Sequence, residues 1–92
     1  MTSETTPPPL KLTFPCEFMF KAFGPGDSVE FPRAVHQAAV TVMQVPLDAV
    51  KVRMSGQGRY QAVSVVVLAH NLDQIQAIYQ ALKTVPDLQY LL

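Results

Sequence analysis

The sequence has no tryptophan, a single cysteine and little charge. A lone Cys16 cannot close an intramolecular disulfide, so this is not a disulfide scaffold, and the usage fits a reducing compartment. Lys and Arg number seven, as do Asp and Glu, and the formal net charge is zero. Binding nucleic acid by bulk phosphate neutralisation takes a basic surplus, which the chain as a whole lacks. Charged residues make up 15%, against about 25% in an ordinary soluble domain. Long apolar runs are missing too. The longest is Val65-Val66-Val67-Leu68-Ala69, whereas a membrane span needs about 20 residues. The opening MTSETTPPPLK has no basic segment followed by an apolar one, so it does not read as a secretory signal. These absences describe a cytoplasmic protein without membrane association.

What is present is apolar, at 49% of 92 residues. A chain of this length makes one domain of two packed layers. With so few charges its surface favours association. Residues 1–12 differ from the rest: Met1, Leu10 and Leu12 are their only apolar members, and Pro7-Pro8-Pro9 favours an extended chain without backbone donors. They read as a disordered Pro-rich tail preceding a single domain over 13–92, with docking into an aromatic groove as the alternative.

Along the domain, Cys16 to Phe23 alternates as a strand, with Cys16, Phe18, Phe20 and Ala22 facing the core and Glu17, Met19, Lys21 and Phe23 on a mixed face. Gly24-Pro25-Gly26-Asp27-Ser28 is a loop into a helix that Asp27 or Ser28 can cap. Phe31, Val35, Ala38, Val42 and Val45 recur on one helical face, and Pro46 ends it. Ala49 to Ser55 sets Val50, Val52 and Met54 against Lys51 and Arg53, a half-buried strand suited to a sheet edge. Ser55-Gly56-Gln57-Gly58 turns it into a third strand, Arg59–Ala69, which is apolar on both faces and therefore central. Asn71 and Gln74 have the capping-box form ahead of a helix with Leu72, Ile75, Ile78, Tyr79 and Leu82 inward. Pro86-Asp87 stops that helix, and Leu88–Leu92 is a last strand.

The order β-α-β-β-α-β with right-handed crossovers predicts an α+β, ferredoxin-like fold, a four-stranded antiparallel sheet with both helices on one face. The other face carries Met19, Phe23, Tyr60, Ala62, Val66 and Leu68 among Glu17, Lys21 and Ser64. Leaving the large ones in water forfeits about 1–2 kcal/mol each, which a partner, such as a second copy, recovers. A tolerated exposed face is the alternative.

Three segments, FPCEFMFKAFG over residues 14–24, SGQGRYQAVS over 55–64 and QIQAIYQAL over 74–82, resemble the YbeD-like family, small bacterial proteins of unknown function. The resemblance spans residues 13–92. It implies a ferredoxin-like fold similar to ACT-type regulatory domains, and it carries no established activity or catalytic residues. Ala62, Val66 and Leu68 depart from the hydroxyls common at these positions in the family, which makes the open face greasier.

Several constellations bear on chemistry. Cys16 lies on the apolar side of a strand and is not paired by spacing with His36 or His70, so it reads as an inert buried thiol. Two histidines and one cysteine without ligand spacing make no metal site. Val29-Glu30-Phe31-Pro32-Arg33 only faintly matches the phosphate cradle of acylphosphatases, and the one asparagine, Asn71, is explained as a cap. Arg59-Tyr60 opens the third strand as an RNA-binding motif does, but the next same-face residue is Ala62. The loop of Gly24, Gly26, Asp27 and Ser28 is the candidate small-ligand site, with a plain turn and cap as the alternative. Lys51, Arg53 and Arg59 flank the hairpin and could dock an acidic partner, or form a solvated edge.

Together these residues describe a small non-enzymatic regulatory or protein-interaction module. It works as a homodimer, senses an effector in ACT-like fashion through Gly24, Gly26, Asp27 and Ser28, and binds an unknown protein partner through Met19, Phe23, Tyr60, Ala62, Val66 and Leu68. No catalytic residue, cofactor or metal is expected. Nucleic acid is not the expected partner, and RNA binding on the open sheet face is the alternative reading.

Overall fold

The computed structural model describes residues 12–92. The proline-rich segment 1–11, which carries most of the expected tail, lies outside the described residues, while Leu12 packs against the core.

Period-two patterning makes β1 (Cys16–Pro25), β2 (Val50–Met54) and β3 (Tyr60–Ala69), and a short β4 (Tyr90–Leu91) closes the chain. Helices α1 (Glu30–Val40) and α2 (Leu72–Leu82) connect them. The sheet order is β2-β3-β1-β4, and every neighbouring pair is antiparallel. This is the expected β-α-β-β-α-β arrangement, with the two most apolar strands in the middle. β1 and β3 pair along their whole length, from Cys16 opposite Ala69 to Pro25 opposite Tyr60.

One face of the sheet meets the helices. Phe20 and Ala22 of β1 and Val63, Val65, Val67 and Ala69 of β3 are buried there against Phe31, Val35 and Ala39 of α1 and Ile75, Ile78 and Leu82 of α2. Each large side chain in this layer contributes about 1.5–3 kcal/mol by leaving water. Tyr79 sets its ring edge against Phe20, with centroids 4.8 Å apart.

Local chemistry fixes the helix starts. The Ser28 hydroxyl accepts the Phe31 amide at 3.2 Å, and Pro32 falls in the first turn, where a missing N–H costs nothing within the helix. Asn71 Oδ1 accepts the Gln74 amide at 2.9 Å, while the Gln74 side chain reaches back to the His70 amide at 2.7 Å.

The ends differ from expectation. α1 stops at Val40, short of Pro46, because the Thr41 hydroxyl bonds the Ala38 carbonyl at 2.6 Å and the chain tightens there. The His36 ring then holds the Val45 carbonyl at 2.8 Å, which turns the chain toward a 3₁₀ turn at Leu47–Ala49. α2 ends at Leu82, before Pro86, with Thr84 bonding the Ala81 carbonyl in the same manner. Leu72 is exposed at the mouth of the helix, not part of its buried stripe. On β2 only Val50 is partly buried. Val52 and Met54 sit on the helix side of an edge strand and both are exposed, Val52 lining a groove with Pro32 and His36 of α1.

Candidate functional site

The pairing register sets out the helix-free face of the sheet in rows. Glu17 stands opposite Leu68, and Met19 opposite Val66. The next row holds Lys21, Ser64 and Lys51. The row after it runs Arg53, Ala62, Phe23, Tyr90 across all four strands. Tyr60 lies beyond, opposite Pro25. Successive rows on one face are two residues apart, about 6.8 Å.

The register gathers three aromatic rings from three strands. Phe23 lies 6.2 Å from Tyr60 and 6.0 Å from Tyr90, centroid to centroid. Phe23 is half-buried between them, while Tyr60 and Tyr90 are 47% and 61% exposed. In the register Arg53 ends the Phe23 row on β2 and Lys21 precedes Phe23 on β1, while Lys51 stands across Ser64 from Lys21. Among the described residues the one ion pair is Arg33 with Glu30 on α1, at 4.0 Å, so none of these three cations has a carboxylate partner there. Glu17 is the single acid among the paired strand residues of the face. It lies at the far end, where it lines a groove with Asp48, Lys51, Leu68 and His70.

Of the residues read from the sequence as an interface, the structure brings Phe23 and Tyr60 into one cluster and separates them from Met19, Val66 and Leu68, which form a second, aliphatic end. Met19 and Leu68 are about half exposed, and Ala62 and Val66 are half-buried. Tyr90 was missed. Its strand has no alternation strong enough to assign a face, and only its pairing with Phe23 places it.

At the loop read as a ligand site, the space on the Cβ side of Gly24 and Gly26 is occupied by the protein itself. A Cβ on Gly24 would lie 2.6 Å from the Phe31 ring, and one on Gly26 would lie 1.9 Å from the Gly58 carbonyl oxygen. Close packing against α1 and against the β2–β3 turn accounts for both glycines. The backbone donors are engaged as well: Gly26 N–H bonds the Arg59 carbonyl at 3.0 Å, and Ser28 N–H the Pro25 carbonyl at 3.2 Å. Asp27 is exposed.

Gln61, which alternation puts on the helix side of β3, completes this bracing. It is 2% exposed, the buried polar residue of the core, and its Nε2 donates to the Pro25 and Ser28 carbonyls, each at 2.8 Å. The Ser28 carbonyl needs such a donor. Four residues on, Pro32 offers no N–H to a first-turn bond. No periodicity reveals this contact, because it spans more than 30 residues of chain.

The thiol and imidazoles do not converge by hydrogen bonding. Cys16 is half-buried opposite Ala69, His36 is engaged with the Val45 carbonyl, and His70 is exposed. Among the described residues there is no group of three His, Cys, Asp or Glu side chains that could hold a metal ion, and no helix is long and apolar enough to cross a membrane.

The architecture is that of a small ferredoxin-like α+β protein with one sheet face that no helix covers among the described residues. A family model described as a protein of unknown function (DUF493) matches residues 10–92, and the chain belongs to that family. The YbeD-like resemblance is to the same group. A UPF0250 protein of Yersinia enterocolitica is 33% identical over 73 residues, covering 77% of this chain and 79% of the relative. A UPF0250 protein of Edwardsiella ictaluri is also 33% identical over 73 residues, with the same coverage. The solution structure of protein HP0495 from H. pylori superposes with a TM-score of 0.68 at 15% identity, over 100% of this chain and 94% of the other, a likeness of fold alone.

Proposed function

We propose that this chain is a non-enzymatic, cytoplasmic interaction module that takes an anionic partner on its helix-free sheet face. The observation that carries this reading is that Lys21, Lys51 and Arg53, which have no carboxylate partner among the described residues, share one sheet face with the rings of Tyr60, Phe23 and Tyr90. Rings standing in water are an energetic loss that an occupant recovers, at about 1–2 kcal/mol for each one covered. The cations give that occupant a sign. Opposite potentials draw an anionic partner in and orient it, and like charge turns others away.

The charge also bears on the competing occupants. In a homodimer stacked through this face, six cations would share the interface with two Glu17 carboxylates. Self-association of that kind works against its own field, and only the Met19–Val66–Leu68 end suits it. ACT-like sensing at Gly24–Ser28 has less support. The space beside both glycines is taken and the amides of Gly26 and Ser28 are already bonded.

The test is calorimetric titration of the full chain with long-chain inorganic polyphosphate. The parent protein binds, and a Lys51→Glu/Arg53→Glu variant with unchanged unfolding loses about tenfold or more in affinity. Binding that the double reversal leaves intact would place the anion elsewhere and overturn the reading.

A further inference from the structure

We infer that the anionic partner is single-stranded RNA, held by base stacking on Tyr60, Phe23 and Tyr90 and by phosphate contacts to Lys21, Lys51 and Arg53. The inference rests on the sheet-face reading above and names its occupant.

Three geometric facts favour a nucleic acid over an acidic peptide. The rings come from β3, β1 and β4 and cross the sheet at steps of 6.2 and 6.0 Å, a span suited to two or three splayed bases of a flexible single strand. The row carrying Lys21 and Lys51 runs beside the row of Phe23 and Tyr90 at the two-residue spacing of about 6.8 Å, with Tyr60 one row further on, so a backbone can follow the cations while its bases reach the rings. Arg53 stands at the β2 end of the aromatic row itself, where a guanidinium can meet a phosphate or lie against a base. A peptide carboxylate would satisfy the cations but would leave the rings without planar partners. Hydroxyls at Tyr60 and Ser64 can exchange hydrogen bonds with ribose 2′-hydroxyls, which favours RNA over DNA.

Zero net charge does not oppose this. Phosphate attraction depends on where charge sits, and the strands of this face hold three of the seven basic residues with one of the seven acids, Asp48 joining Glu17 at the groove away from the rings.

The test is fluorescence anisotropy of the full chain with a labelled oligouridylate, run beside the matching oligodeoxyuridylate, an oligoglutamate and long-chain polyphosphate. The oligouridylate is expected to bind saturably and tighter than the other probes. Its log affinity should fall against log salt with a slope of about −2, as three contacts on a single strand require. Tyr90→Leu weakens it about tenfold with little change of slope, Tyr90→Phe restores it, and Arg53→Ala lowers the slope by about 0.7. Equal affinity for the deoxy oligomer overturns the choice of RNA. Tighter binding of oligoglutamate, or indifference to Tyr90→Leu, overturns the inference while polyphosphate binding leaves the anionic face standing. Loss of polyphosphate and RNA binding together removes both. Far-UV circular dichroism of each variant, expected to match the parent, separates loss of contact from loss of fold.

Discussion

Replacing Gln61 by Leu removes a side chain that ties the loop after β1 to β3. Gln61 Nε2 gives hydrogen bonds of 2.8 Å to the Pro25 and Ser28 carbonyls in a site only 2% exposed. The two acceptors do not suffer equally. The Pro25 carbonyl keeps the Ser28 amide at 3.2 Å, whereas the Ser28 carbonyl faces a helix turn whose matching residue is Pro32 and loses its donor. One buried carbonyl left unsatisfied costs about 1–3 kcal/mol, and the apolar gain from leucine offsets only part of it. For a domain of this size the melting temperature should fall by roughly 5–15 °C. Gln61→Glu should be worse, because a carboxylate cannot donate and its charge is buried beside two carbonyl oxygens. That burial holds the new carboxyl's pKa above its unfolded value, so the deficit deepens as pH rises through the carboxylate range and eases as pH falls below it. Denaturant unfolding at several pH values measures both effects. A Gln61→Leu midpoint within about 0.5 kcal/mol of the parent would refute the bracing role.

Two further outcomes follow from the packing and the charge. Gly26→Ala drives a methyl into the Gly58 carbonyl, so the loop and the β2–β3 turn must part. Thermal melts should show a loss of about 1–3 kcal/mol, and a neutral result would mean that the two loops are not in contact. Because like charges oppose stacking of two copies through the sheet face, any self-association there should strengthen as salt screens Lys21, Lys51 and Arg53, and Val66→Asp should weaken it. Sedimentation at low and high ionic strength reads this, and salt-weakened dimers would contradict it.

The elements legible from the sequence were those whose signals are local. Alternation in Cys16–Phe23 and Arg59–Ala69 sorted both central strands onto their correct faces, and Asn71 with Gln74 marked the start of α2. Helix ends were harder. A proline says where a helix cannot continue, but Thr41 and Thr84 close the turns earlier through their own hydroxyls. The candidate site was half legible. Phe23, Tyr60, Lys51 and Arg53 each stood out, but their meeting depends on strand register. Tyr90 joins them through a two-residue strand that composition cannot place. The net charge of zero concealed the cations, since a sum carries no information about position. Gly24 and Gly26 read as a candidate ligand loop or a plain turn and cap, and only the fold shows Phe31 and Gly58 against them.

The most direct measurement is backbone-amide shift mapping by NMR while long-chain polyphosphate is titrated into the full chain. The account predicts that perturbed amides cluster at Lys21, Phe23, Lys51, Arg53, Tyr60 and Tyr90, with α1 and α2 quiet. Shifts centred on the helices or on the Gly24–Ser28 loop, with those strand positions unmoved, would contradict it.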